Sequence, residues 1–187
     1  MDYVPPPRRA AWAPRTRLAL GLTALIAFAP LSCRPVDWFL LKRSLRSKFS
    51  DEQWITTQQL ADWLADKQRP APVLLDVRTP AEWNVSHLAG ARRVDPKASA
   101  KDAAGDAAKD APIVTYCAVG YRSGQMAERL RKAGFTRVQN LEGSIFEWAN
   151  ERRPLVRDGE RVTRVHPVNA VWGRLLQDDV RAPLPSP

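Results

Sequence analysis

Cysteine and histidine are scarce in this 187-residue chain, with two of each. Two His leave no His-rich metal site. Two Cys make neither a disulfide scaffold nor, alone, a four-thiolate zinc site. No metal and no organic cofactor is expected. Glycine is also sparse, nine residues against sixteen Pro, and Pro5–Pro7, Pro183, Pro185 and Pro187 put part of that excess at the ends. What is present is globular in character: 44% hydrophobic, 26% charged and seven Trp, which excludes a wholly disordered or collagen-like chain.

The net charge of +9 is unevenly placed. Residues 1–50 hold nine Lys/Arg against two acids, so the remaining residues carry only +2. The globular part is nearly neutral, which argues against nucleic acid as a partner. Basic residues flanking an apolar stretch form a membrane pattern instead.

No long hydrophobic run is present. Leu18 to Ser32 is uncharged, but its fifteen residues span only about 22 Å as a helix, short of the ~30 Å hydrocarbon core. That length favours a secretory signal over a full span. Ser32-Cys33 resembles the end of a bacterial lipoprotein signal, which implies Cys33 as a lipidation candidate. Pro30 stands where that family usually has Leu. An uncleaved short anchor is the alternative. Residues 1–33 are therefore read as signal peptide or membrane anchor, and the location as membrane-associated, on the periplasmic side of a bacterial envelope, with the opposite orientation left open by the basic residues on both flanks. In residues 34–51, Trp38, Leu41, Leu45 and Phe49 share one helical face among Lys42, Arg43, Arg46 and Lys48. This basic amphipathic connector suits an anionic membrane surface, or packs its stripe on the domain.

From about Trp54 strand and helix signals alternate. Thr56 with Gln59 is a capping box opening a helix through Leu60, Trp63 and Leu64. The apolar run Val73 to Val77 reads as a buried strand. Thr79-Pro80-Ala81-Glu82 supplies an N-cap, a first-turn Pro and a first-turn Glu. A short strand follows around Arg93-Val94. The alanines of Lys97 to Asp110 make one face of a crossover helix. Pro112 to Tyr116 is a strand, Arg122 to Ala133 a helix stopped by Gly134, and Thr136 to Leu141 a strand. Ser144 with Glu147 reads as a second capping box. This alternation predicts an α/β fold, a parallel sheet with helices on both faces. Ligands on such sheets bind beyond the strands' carboxyl ends.

Two segments lie at such ends, Asp76 to Arg78 and the loop from Cys117. Cys117 sits at a helix N-terminus, whose dipole favours a thiolate. The loop Ala118, Val119, Gly120, Tyr121 can turn its N–H groups inward as an anion nest, with Gly120 free to adopt φ > 0. Arg122 closes the loop with a permanent charge. Ser123 follows it, and Tyr121 is positioned to shape access.

The segments VLLDVRTPAEW (73–83), SHLAGA (86–91), IVTYCAVGYRS (113–123) and NLEGSIFEW (140–148), in this order, resemble a single rhodanese domain. The resemblance covers about Trp54 to Arg153, and the domain is bounded at 52–153. It implies a rhodanese-like five-stranded parallel sheet and a sulfurtransferase. Cys117 would carry sulfane sulfur as a persulfide, taken from a donor such as thiosulfate and passed to a thiol acceptor. Ala118 to Arg122 would cradle it, with Arg122 holding the donor. Asp76 and Arg78 match the family's Asp-x-Arg, where Asp76 is read as pairing an Arg or capping backbone rather than moving protons. Ser86 and Gly143-Ser144 depart from the family's Gly before the His and its Gly-Gly pair. His87 is read as a fold residue, and His166 shows no evident partner. Arsenate reductases and phosphatases of similar topology use a seven-residue Cys-to-Arg loop. The six residues here favour sulfur over a tetrahedral oxyanion. A membrane-tethered relay, redox-sensing or interaction module is the alternative outside turnover. The tail, 154–187, carries Val162 to Leu176 as a segment laid on the domain or a partner-binding strip, then a Pro-rich end.

Overall fold

The structure is a computed structural model that describes residue 1 and residues 38–184. Leu18 to Ser32, Cys33 and the last three residues lie outside the described part. Among the described residues no helix is long and apolar enough to cross a membrane.

Five parallel strands form the sheet: β1 (Gln53–Ile55), β2 (Val73–Asp76), β3 (Arg92–Arg93), β4 (Ile113–Tyr116) and β5 (Val138–Leu141). Their spatial order is β1-β5-β4-β2-β3. β4 is central and buried at every position, as a strand covered on both faces must be, and its Thr115 hydroxyl is hydrogen-bonded. Leu75 and Asp76 of β2 stand beside Thr115 and Tyr116 of β4, so the loops leaving these two strands emerge side by side.

The helices are α1 (Trp38–Lys48), α2 (Thr57–Ala65), α3 (Pro80–Trp83), α4 (Ala100–Ala104), α5 (Tyr121–Lys132) and α6 (Ser144–Asn150). The capping boxes at Thr56/Gln59 and Thr79/Glu82 both form. One core packs Leu60, Trp63, Ile145, Phe146 and Trp148 on one sheet face. The other packs Met126, Leu130, Phe135 and Val138 against Leu75 and Val77. Each fully buried Leu or Met contributes about 1.5–3 kcal/mol by removal from water.

Two sequence expectations fail locally. The helix expected across Lys97–Asp110 ends at Ala104, because Gly105 takes φ 57° and breaks the run. The Ser144/Glu147 capping box does not form. Gly143 is the N-cap, and the Ser144 hydroxyl is engaged elsewhere. Two further strands, β6 (Leu155–Arg157) and β7 (Glu160–Val162), form a hairpin. The hairpin is tied to the domain by a two-way backbone pair between His87 and Val156, so His87 does serve the fold. Leu175, Leu176 and Val180 of the tail are buried in the first core.

α1 lies on the domain with Leu45 and Phe49 buried. Its charges meet acids of the domain: Lys42 pairs with Glu147, and Arg46 with Glu142 at 2.6 Å. A methyl at Gly124 of α5 would stand 2.8 Å from the Phe49 ring, so the absence of a side chain there is what lets Phe49 seat.

Candidate active site

Cys117 ends β4 as a free thiol, 1% exposed. Its loop is held from behind by groups that turn its carbonyls outward. Asn140 Nδ2 donates to the Gly120 carbonyl at 2.9 Å, and Thr115 Oγ1 to the Ser123 carbonyl at 3.1 Å. The first N–H groups of α6 take two more, Ile145 to the Cys117 carbonyl and Phe146 to the Ala118 carbonyl. Ser144 Oγ accepts the Cys117 N–H at 3.2 Å and donates to the Leu141 carbonyl. With the carbonyls occupied outside, the loop's N–H groups are free to face the sulfur. Gly120, at φ 114°, donates its N–H to Cys117 Sγ at 3.2 Å.

Burial pushes the Cys117 thiol pKa up, but the Arg122 charge, the Ser123 hydroxyl and the Ser123 and Gly120 N–H groups outweigh it and leave the thiol below its usual value. The Ser123 hydroxyl is buried with no other partner. Ala118 and Val119 are buried in the loop, while Tyr121 stands 42% exposed at its rim.

Arg122 is not a free cation. Its two terminal nitrogens donate to the two carboxylate oxygens of Glu82, at 2.8 and 2.6 Å. Burial opposes charge on both groups, yet their mutual hydrogen bonds hold Glu82 below the usual carboxylate range and Arg122 above its own. Arg122 thus stands beside the sulfur as a fixed charge held by Glu82, with guanidinium N–H groups beyond the two that Glu82 takes. Glu82 is placed by its capping box with Thr79. The helix that carries it is placed in turn by Arg78. Arg78 and Asp76 are both fully buried and paired at 2.6 Å, and Arg78 also donates to the Ser86 carbonyl. Asp76 and Arg78 thus lie behind the helix that carries Glu82, and Glu82 in turn holds Arg122 beside the sulfur.

The structure brings Cys117, Gly120, Arg122 and Ser123, singled out from the sequence, together around the sulfur. Sequence reading missed Glu82 as the Arg122 partner, and Asn140, Thr115 and Ser144 as loop anchors. The only signal for Glu82 was its capping pattern, and buried Asn140 amid an apolar strand was the signal for the second. Among the described residues no group of His, Cys, Asp and Glu is arranged to hold a metal ion.

Among the described residues, a parallel α/β sheet carries one free thiol, its pKa lowered by its neighbours, in the loop beyond the central strand. The chain belongs to the rhodanese-like family, whose Rhodanese-like domain matches residues 56–151. It is 34% identical over 102 residues to a sulfurtransferase of Allochromatium vinosum, covering 54% of this chain and 92% of that protein. It is 37% identical over 102 residues to the probable adenylyltransferase/sulfurtransferase MoeZ of Mycobacterium tuberculosis, covering 54% of this chain but only 25% of MoeZ. The chain thus spans about a quarter of the MoeZ length. The crystal structure of the Alr3790 protein from Anabaena matches at TM-score 0.51 and 27% identity, over 55% of this chain and 82% of that one.

Proposed function

We propose that this rhodanese-like sulfurtransferase takes sulfane sulfur from a donor such as thiosulfate onto Cys117 and passes it to a thiophilic acceptor. The Cys117 thiolate attacks the sulfane sulfur, the S–S bond of the donor breaks, and sulfite leaves with the bonding pair. The outer sulfur stays on Cys117 as a persulfide. The acceptor then attacks that outer sulfur, and Cys117 leaves as thiolate.

The observation that carries this reading is the nest itself. A thiol only 1% exposed is nonetheless held below its usual pKa, by Arg122, Ser123 and the Gly120 N–H. The same groups stabilise the charge that Cys117 carries before loading and after transfer. The six-residue span from Cys117 to Arg122 suits one sulfur better than a tetrahedral oxyanion. Similarity to a thiosulfate sulfurtransferase, GlpE of Ectopseudomonas mendocina, at 33% identity over 76 residues, supports thiosulfate as the donor to try first. Formation of thiocyanate from thiosulfate and cyanide tests the reading. A relay or sensing module without small-donor turnover would not be loaded by thiosulfate and would give no more than one thiocyanate per Cys117. Residues 1–33, with their apolar stretch and Cys33, are proposed to tether the domain to a membrane, as the basic flanks of that stretch support.

A further inference from the structure

Two parts of the chain outside the family's 56–151 come back over Cys117. α1 brings Leu41, Ser44, Leu45 and Lys48, and the tail brings Val168 and Trp172. With the loop they enclose a cavity of about 380 Å³ that has Cys117 on its lining. That volume is in the range of small-molecule sites. The position of the tail is held at a cost: Val168 is β-branched at φ 67°, and its N–H is taken by His166 Nδ1 at 3.0 Å. This also gives His166 its partner.

The chemistry of the cavity is specific. Its walls are mainly Leu41, Leu45, Val119, Val168, Trp172 and the Tyr121 ring. Arg122 lines it but is already gripped by Glu82. Lys42 and Arg46 are spent on Glu147 and Glu142 outside it. Lys48, the other lining cation, makes no salt bridge with a described residue, though its charge helps lower the Glu128 carboxyl pKa and its ammonium stands 5.9 Å from the Phe49 ring centroid. It also stands 5.5 Å from the Tyr121 ring centroid. A compact dianion would find one available cation and no use for the apolar walls.

Resting on the sulfurtransferase reading, we propose that the sulfur acceptor is a small organic thiol with an apolar body and one anionic group, its chain along the cavity and its anion at Lys48. The acceptor thiolate attacks the outer sulfur of the protonated persulfide on Cys117. A new S–S bond forms on the acceptor, the bond to Cys117 Sγ breaks, and its electron pair returns Cys117 to thiolate. The product is the acceptor's own persulfide, with the proton still on the outer sulfur, so no oxidant or reductant is consumed.

The test loads the full chain with inorganic polysulfide, checked by a mass gain of about 32 Da for one sulfur. The loaded protein is offered cyanide, ω-mercaptoalkanoates of increasing chain length, and the matching ω-mercaptoalcohols. The expected result is a kcat/KM that rises about threefold per added methylene until the cavity is filled, with acids preferred to alcohols. In Lys48→Glu the acid-to-alcohol preference should drop about three- to tenfold. A flat chain-length series, or a preference unmoved by Lys48→Glu, overturns the acceptor assignment. Thiocyanate formed alongside a flat series sinks the acceptor class and leaves the sulfurtransferase standing. Failure to load, or to transfer to any acceptor, sinks both.

Discussion

Glu82 and Arg122 face each other fork to fork across 2.6–2.8 Å, one on α3 after β2 and the other in the first turn of α5 after β4. The pair locks the charge beside Cys117 in place without neutralising its effect on the sulfur, which still lowers the thiol pKa. Arg122→Ala should therefore raise the Cys117 pKa and lower kcat/KM by about ten- to a hundredfold, the worth of a charged hydrogen bond. Arg122→Lys should restore little, because a point charge cannot fill the bidentate seat on Glu82. Alkylation rate against pH reads the thiol directly, and an unchanged profile in Arg122→Ala would remove Arg122 from the site.

Cys117→Ser should reduce sulfur transfer to the uncatalysed level, since a hydroxyl is scarcely ionised and holds no persulfide. Thiocyanate production retained by that variant would end the mechanism.

The acid side of the stability profile should carry a Glu82 signature. Its carboxyl is held below the usual range in the folded state, so its contribution is complete above the unfolded value near 4.5 and is lost as pH falls through the folded one. Glu82→Gln should therefore be less stable than wild type at neutral pH, with the gap closing as pH drops below the unfolded value. Urea midpoints at several pH values test this, and a gap independent of pH would count against it.

Breaking the fully buried Asp76–Arg78 pair by Asp76→Ala should cost about 3–5 kcal/mol, because it strands an uncompensated guanidinium. If a soluble variant melts in urea within about 1 kcal/mol of wild type, the positioning role assigned to Asp76 fails.

Lys42 and Arg46 are engaged by Glu147 and Glu142, which leaves less basic charge on α1 for lipid than the sequence pattern promised. Deleting residues 1–37 should thus free the protein from membranes at low salt as well as high. Retention at low salt, released by high salt, would return α1 to the membrane surface.

How much was readable beforehand followed the range of the interactions. Val73–Asp76 and Ile113–Tyr116 announce themselves as mainly apolar runs, and Thr56/Gln59 and Thr79/Glu82 as local hydrogen-bonding patterns. The Cys117 loop is likewise contiguous. Gln53–Ile55 is only three residues and mostly not buried, so periodicity had nothing to register. Ser144 misled because its hydroxyl serves the Cys117 N–H, 27 residues away, rather than its own helix. The alternatives for the Trp38–Phe49 stripe were a lipid surface or the domain. Only the seat of Phe49 against Gly124 decides where that stripe lies in the folded chain, a tertiary contact that no local pattern encodes.

The roof over Cys117 takes residues from both ends of the described chain, and this sets an order in time. Synthesis proceeds from the N-terminus, so α1 and the Cys117 loop exist before Val168 and Trp172 have been made. A nascent chain stopped short of the tail exposes an unfinished pocket to any passing thiol. The enclosure around the sulfur is therefore completed only after the loop it covers, and a chain cut before Val168 would leave Cys117 without that wall.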